Sequence, residues 1–522
     1  MHIMLICADD DVWAVGMRSI SATLRAAGHN TTMVFAGTPT VPVGDSLLGE
    51  IASLAADADI IGVSSMSRAS ERAKSLLAGV RRPGRLVVWG GMHPTLYPQD
   101  CVQHADLVCR GEGEGFMVDL AERLGSHADI ADIPNAAYLR DGQLVLNDLR
   151  PLIADLDTLP FPDFLFEEEW CLTADAGLAP HHWMRHTDYV LFSGSRGCNN
   201  SCTYCSNSQL KAIYRGDVRY ARKMSTARFV ACVRECRQLF AQVKRFYFTD
   251  EDFFARPVEE MRELAEALPR EVGVPFEVMA SPRQISEEKV ALAAKAGMWR
   301  IDVGLESGSE RTRREVFNRY VDDDTQLKAA AVISGYRQVT PYYFLILGNP
   351  YEERKDLIEG IKLLRKMPPG FFLRAYNLVF IPGTQLFDRA CADGIIANET
   401  DSAFEIDFIG FDPSGHDWKL KNLYLNALMA LMVGKSTRLR LGWMPRFLLS
   451  PLTSEPVVEF CDRHQGIGGT LVWLAQIGLK ARRAALIVAN KVLPDRRMAY
   501  GLRYLVRRRP SADTQVVEPD TE

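Results

Sequence analysis

Two series of short apolar runs, each run followed by a segment of helical periodicity, constrain this chain more than any other feature. In the first, HIMLICA (2–8), TTMVFAG (31–37), ADIIGVSS (58–65) and RLVVWGG (85–91) alternate with MRSISATLRAAG, DSLLGEIASLAA and RASERAKSLLAGV. The runs are brief and apolar throughout, as strands covered on both faces must be, whereas the intervening segments repeat apolar residues at helical spacing. Strand–helix alternation builds a parallel sheet, because each parallel connection needs a crossover and the helix supplies it. The chain therefore reads as α/β, opening with a doubly wound domain over residues 1–133 that would take a ligand at the carboxyl ends of its strands.

The second series, YVLFSGS, RFYFTDE, FEVMAS, WRIDVGLES, YYFLILGNP and YNLVFIPGT, begins at Tyr189. Six such units predict a partial (β/α)6 barrel over residues 186–395, with its chemistry on the carboxyl-end loops. Residues 134–185, with a hairpin-like AAYLRDGQLVLND and the proline-punctuated LPFPD, read as a linker. Residues 396–508 read as a helical, basic region and 509–522 as a disordered tail.

The formal net charge of −5 argues against a nucleic-acid partner for the chain as a whole. The distribution is uneven. Lys419 to Arg509 carries 17 Lys and Arg against 4 Asp and Glu, an excess of +13, so the remainder sums to −18. Within that region LKNLYLNALMALMVGK and TLVWLAQIGLKARRAALIVANKVL have the composition of interfacial helices, which would allow peripheral membrane contact and suit a lipid-like or anionic substrate. No secretion leader is expected, and the longest apolar stretch is interrupted by Lys480, Arg482 and Arg483. Eleven cysteines, an odd number scattered over 522 residues, suit a reducing cytoplasm better than a disulfide framework.

Three of those cysteines fall within eight positions, in SGSRGCNNSCTYCSNS, on the loop after the first barrel strand. A closed zinc site wants four ligands, and no histidine nearby completes Cys198, Cys202 and Cys205. Three thiolates suit a 4Fe–4S cluster with one iron left open to a ligand. The CxxxCxxC spacing, with aromatic Tyr204 before the last cysteine, resembles the radical S-adenosylmethionine (SAM) superfamily. That resemblance implies that the three cysteines ligate a 4Fe–4S cluster whose open iron chelates SAM, and that reductive cleavage of SAM yields a deoxyadenosyl radical. TDEDFF resembles the family's acidic segment near the SAM amino group and points to Asp250 and Glu251. GLESGSERTRREVFNR resembles its ribose- and carboxylate-contacting segment and points to Glu306, Ser307 and Arg319. No side chain is called upon as a general base for hydrogen abstraction.

The first domain carries marks of its own. Asp11-x-Trp13-x-x-Gly16, Ser64-x-Met66 and Gly90–Gly91 stand at successive strand ends and resemble the cobalamin-binding, Rossmann-like domains of the methionine-synthase type. Glycines there let the backbone approach a bulky cofactor tail. The chain departs from that family where the cobalt-ligating histidine would stand: Trp13 occupies the position, and an indole has no lone pair to offer a metal. GGMHPTLYPQD, GEGEG and LPFPD extend the resemblance to the group that combines cobalamin with radical SAM chemistry, which contains hopanoid C-methylases, phosphinate P-methylases and the anaerobic magnesium-protoporphyrin ester cyclase. Glu112 and Glu114 would sit near a helix start, where carboxylates are favoured. The resemblance implies methylation of an unactivated carbon, with cobalamin, SAM and the 4Fe–4S cluster as cofactors and a flavodoxin- or ferredoxin-type electron donor. Oxidative cyclisation with the same cofactors, and a non-catalytic cobalamin sensor or iron–sulfur scaffold, are the alternatives. Cys232, Cys236 and His93 are expected to be structural.

Overall fold

The protein is represented by a computed structural model that describes residues 1–37, 43–173, 177–214, 220–397, 422–464 and 470. Its first sheet has nine strands: β1 (His2–Cys7), β2 (Asn30–Phe35), β3 (Ile60–Ser64), β4 (Leu86–Gly90), β5 (Leu107–Cys109), β6 (Ala136–Arg140), β7 (Gln143–Leu146), β8 (Glu169–Thr173) and β9 (Gly177–Pro180). They lie in the order β7-β6-β5-β4-β3-β1-β2-β8-β9. The stretch from β5 to β8 is parallel, and β6, β7 and β9 run antiparallel at the margins. β3 holds the middle place with β1 beside it, and Ile3 to Cys7 of β1 are buried because helices cover both faces. The chain leaves β1 for β2 on one side and returns to β3 on the other. That reversal opens a crevice at the carboxyl ends of β1 and β3, where doubly wound sheets take their ligands.

Residues 134–185 are not a linker. The hairpin β6–β7 turns at Asp141–Gly142, both at positive φ, and closes one margin of the sheet, while β8 and β9 close the other. What draws the second segment in is charge. Arg18, 0% exposed, holds Glu169 of β8 through two hydrogen bonds of 2.7 and 2.9 Å and also donates to the Asp163, Val12 and Trp13 carbonyls. A buried guanidinium tolerates its lost hydration only when its donors are all taken, and here the expected linker supplies Glu169 and the Asp163 carbonyl while Val12 and Trp13 supply the rest.

The second sheet carries β10 (Tyr189–Phe192), β13 (Arg245–Phe248), β14 (Phe276–Ala280), β15 (Met298–Glu306), β16 (Thr340–Leu347) and β17 (Phe372–Asn377), all parallel and in sequence order. An antiparallel β18 (Gly434–Lys435) follows β17. A two-stranded ribbon, β11 (Ser195–Arg196) with β12 (Arg222–Lys223), brackets the cysteine loop. Along the parallel strands fully buried residues alternate with half-exposed ones. The buried set packs on the surrounding helices and the other lines the inner face of the barrel, its lumen. The sixth strand lies earlier than the apolar run at 376–384 suggested. Phe372, Arg374 and Tyr376 alternate into the lumen, whereas Leu378 and Phe380 leave the sheet for a separate cluster with Val316 and Phe317.

Cys232 and Cys236 are buried on the helix Thr226–Leu239, as core residues. The first basic segment does not lie at an interface: in the helix Leu423–Leu431, Tyr424 to Ala430 are all buried, and the helix packs on the helix Arg354–Lys366. The second, with Lys480, Arg482 and Arg483, and the tail at 509–522 lie outside the described residues. Among the described residues no helix is long and apolar enough to cross a membrane.

Candidate active site at the domain junction

The cysteine loop is pinned from two sides. Thr203 donates its backbone N–H to the Phe317 carbonyl (3.1 Å) and its hydroxyl to the Val316 carbonyl (2.6 Å), while its own carbonyl accepts from Leu386 (3.0 Å). Tyr204 meets Phe317 edge to face at 4.8 Å. Cys202 is buried and Cys198 and Cys205 are half-buried. Burial raises the Cys198 thiol and pushes Cys205 up to about 12, so both hold their protons until a cationic core displaces them. Arg319 and Asn200 already donate to sulfur, at 3.7 Å to Cys202 and 3.6 Å to Cys198.

The donor set suits a cluster rather than a single ion. Thiolates sharing one tetrahedral zinc stand roughly 3.8 Å apart. Among the described residues only His93, Asp100 and Cys101 bring three ligand atoms within 4.8 Å of one another, and the loop cysteines are spread more widely. In the His93 group Lys74 Nζ, 3.0 Å from Asp100 Oδ2, already supplies a cation. His93 is buried and bonded to Ser67 at 3.2 Å.

Around the cysteines the acidic segment after β13 divides differently from the sequence expectation. Asp250 is 0% exposed and turns inward to Arg256 at 3.4 Å, so it does not face the loop. Glu251, open to solvent, lies close enough to Cys198 and Cys205 to raise both thiols. Asp252, which the motif did not single out, is pushed up to about 6 by burial, and its carboxyl senses Arg319. Asp252 Oδ1 and Arg319 Nε are both buried without a hydrogen-bond partner. An orphaned acceptor and an orphaned donor beside the thiols are what an amino acid's ammonium and carboxylate would satisfy. SAM presents both groups.

Glu306 completes this cluster in a strained conformation, at φ +67 in a register shift of β15. Its carboxyl folds back over Gly304, where a Cβ would stand 2.2 Å from Oε1. Burial raises it, with Arg319 and the Tyr204 hydroxyl opposing. Strain of this kind persists where surrounding contacts enforce it, commonly at ligand sites. Ser307 is committed elsewhere: its hydroxyl donates to Glu352 at 2.7 Å in a small buried cavity with Ser309 and Asp356.

At the carboxyl ends of the first sheet, Ser64 closes β3 and Gly90 closes β4, while Asp11 and Gly16 follow β1, Met66 follows β3 and Gly91 follows β4. Gly91 adopts φ +101, ψ −168, and a Cβ there would stand 2.7 Å from the Ser65 carbonyl and 2.9 Å from Ser64 Oγ. Gly16 has open space where its Cβ would be, and Met66 is 47% exposed. Asp11 accepts from the Trp13 backbone at 2.9 Å and fixes the loop. A glycine-lined crevice with a small serine fits a cobalamin tail. Trp13 does not line it. At 4% exposure its ring packs on Phe164 and Phe240, inside the junction of the two domains.

The two sites adjoin. The helix Met92–Leu96, opened by Gly91, packs against the helix Ser206–Ile213, opened by Cys205. Arg196, two residues before Cys198, bonds Glu112 (2.9 Å) and Glu114 (2.5 Å), and Arg222 adds a second cation on Glu112 (3.0 Å). Tyr214 O–H accepts from the Glu112 backbone at 3.2 Å, over Gly111, where any Cβ would strike it. The glutamates expected near a helix start are thus interdomain ion-pair partners. No local periodicity reports a pairing between positions more than eighty apart.

A radical SAM superfamily profile matches residues 192–361 and a B12 binding domain profile matches residues 1–121. An uncharacterized methyltransferase, PH0819, of Pyrococcus horikoshii is 25% identical over 350 residues, 65% of this chain and 71% of that protein. The anaerobic magnesium-protoporphyrin IX monomethyl ester cyclase of Synechocystis sp. is 28% identical over 207 residues, 38% of this chain and 39% of the cyclase. In fold, the chain is similar to the radical S-adenosylmethionine methyltransferase TsrM of Kitasatospora setae, solved with tryptophan and a SAM analogue. The TM-score is 0.61 at 15% identity, over 75% of this chain and 76% of that one.

Proposed function

We propose that this chain, in which a radical SAM profile follows a B12 binding domain profile, methylates an unactivated carbon of a small-molecule substrate. When bound, the 4Fe–4S cluster with SAM supplies a hydrogen-abstracting radical and cobalamin supplies the methyl group. The observation that carries the reading is the packing of the Gly91-opened helix on the Cys205-opened helix, which would bring a cobalamin held at the strand ends next to the cluster loop. Methyl capture by a carbon radical needs such proximity, because a radical left to diffuse is quenched by other groups.

In this reading the chain's residues orient and exclude water. Cys198, Cys202 and Cys205 hold the cluster. Asp252 and Glu251 would hold the SAM ammonium, Arg319 its carboxylate, and Glu306 with Tyr204 the remaining polar edge. Gly91, Gly90, Ser64, Met66, Asp11 and Gly16 would hold cobalamin, and Trp13, buried on Phe164 and Phe240, would offer it no ligand. Electrons come from a flavodoxin- or ferredoxin-type donor.

The test is anaerobic reconstitution of the full chain, an optical spectrum for corrinoid, and mass spectrometry of SAM products and substrate. Methionine, deoxyadenosine and a product heavier by one methylene are expected. A product that has lost hydrogen or gained oxygen would favour cyclisation. A protein that retains no corrinoid would remove the methylation reading and leave the barrel assignment intact.

A further inference from the structure

The lumen of the barrel has a floor, a wall and a roof of different chemistry. On the floor Arg300 clasps Asp302 at 2.7 and 2.8 Å and Glu277 at 2.9 Å, with the Tyr247 and Tyr189 hydroxyls donating to those carboxylates at 3.4 and 3.5 Å. Burial pushes Glu277 up to about 7, so this network is close to neutral by itself. The roof is the Glu306–Arg319 cluster beside the cysteines.

The wall between them is aromatic and carries one surplus cation. On β16 and β17, Tyr342 stacks on Phe372 (4.8 Å, 12°) and Phe344 on Tyr376 (5.4 Å, 9°). Arg374, opposite Phe344 in the register, stands between the two pairs, its guanidinium 5.5 Å from the Tyr342 ring. Arg374 makes no hydrogen bond or ion pair among the described residues, although it is half-buried; Asp302 senses its charge but has both oxygens engaged by Arg300 and Tyr247. Tyr376 senses Asp302 and Arg374 at one end and Glu306 at the other, so the wall runs up to the SAM cluster. Arg300 already lies 4.0 Å over the Tyr342 ring, so Phe344, beside Arg374, is the ring that would meet a flat partner by offset or edge-to-face contact, and a guanidinium without an anion favours paired oxygens.

We propose that this wall is the substrate platform, and that it takes a planar conjugated or aromatic molecule bearing an anionic oxygen group, carboxylate or phosphate, held by Arg374. The inference deepens the proposed methylation, since it names the class of molecule presented to the radical. It assigns no role to the basic C-terminal region.

Equilibrium dialysis of the full-length protein tests it without turnover, so its failure is separable from failure of the methylation reading. The probes are 2-naphthoate, 2-naphthyl phosphate, neutral 2-naphthamide and non-planar cyclohexanecarboxylate. At least one naphthyl anion should bind saturably, and more tightly than cyclohexanecarboxylate. Arg374→Gln should weaken that anion at least about tenfold, the scale of a lost charge-assisted pair, and leave naphthamide unchanged. Arg374→Lys should restore part of the loss, and Phe344→Leu should weaken all three naphthyl probes. Circular dichroism confirms that each variant is folded. Whichever naphthyl anion binds tighter identifies the group. The proposal is overturned if no probe binds, if naphthamide matches the anions, or if Arg374→Gln binds every probe as before.

Discussion

Gly90 and Gly91 look alike in the sequence and should behave very differently when a methyl group is added. Gly91 sits at φ +101, ψ −168, a region open essentially to glycine alone, and alanine there costs about 1–3 kcal/mol in backbone strain. Its new Cβ would also stand 2.7 and 2.8 Å from backbone atoms of Ser65, which cannot swing aside as a side-chain tip can. Overpacking of that kind adds about 1–3 kcal/mol. The strain falls on the turn that joins β4 to the helix Met92–Leu96 and therefore on the cobalamin crevice. If only about 2 kcal/mol reaches the bound state, Gly91→Ala lowers corrinoid affinity roughly thirtyfold. Gly90→Ala is the control, because its Cβ would meet only Cys109 Cβ, at an ordinary 3.7 Å, and its φ needs no glycine. Corrinoid retained after gel filtration, read by absorbance against a hydroxocobalamin titration, should be near wild type for Gly90→Ala and largely lost for Gly91→Ala. Equal retention by the two variants would refute the crevice.

Two further perturbations address the junction and the barrel. Glu112→Ala leaves Arg222 and Arg196 without their shared acceptor, a loss of about 3 kcal/mol for a largely buried pair, and should loosen the docking of the two domains. Product methylated per deoxyadenosine formed should fall at least about tenfold, and an unchanged ratio would contradict that role for the interdomain ion pairs. Glu352, buried beside Ser307, is pushed up to about 7 by burial. A carboxyl whose folded value is raised binds more protons folded than unfolded, so its contribution is present below about pH 4.5 and is lost as pH rises through 7. Glu352→Gln should gain on wild type by about 3 kcal/mol between pH 5 and 8, read from denaturant unfolding at each pH. A gain toward acid would have the wrong sign.

Much of the architecture was legible because the parallel middle of the first sheet is covered on both faces, which leaves strands such as Ile3–Cys7 continuously apolar, and because each parallel strand of the second sheet is followed by a helix. The exceptions have physical causes. β5, three residues long, is too short to show a period. β17 was misplaced because Arg374 interrupts its apolar run; the residue that hid the strand is the one its lumen position explains. Asp250, Glu251 and Asp252 are indistinguishable as letters, and only the backbone at the end of β13 turns the first inward to Arg256. Trp13 stands where the motif put it but faces the interdomain core. Arg18, Arg196 and Glu112 act through partners distant in sequence, which no window of residues contains. The cysteine spacing was legible because cluster ligation depends on a local loop.

That loop is also where the account is most exposed. Electron paramagnetic resonance of the reduced, reconstituted protein, recorded before and after SAM is added, interrogates the open iron itself. A 4Fe–4S spectrum reshaped by SAM, with about four irons per chain, is the predicted result, and Cys202→Ala should abolish it. A spectrum indifferent to SAM, or a cluster that survives replacement of Cys198, Cys202 and Cys205 together, would contradict it.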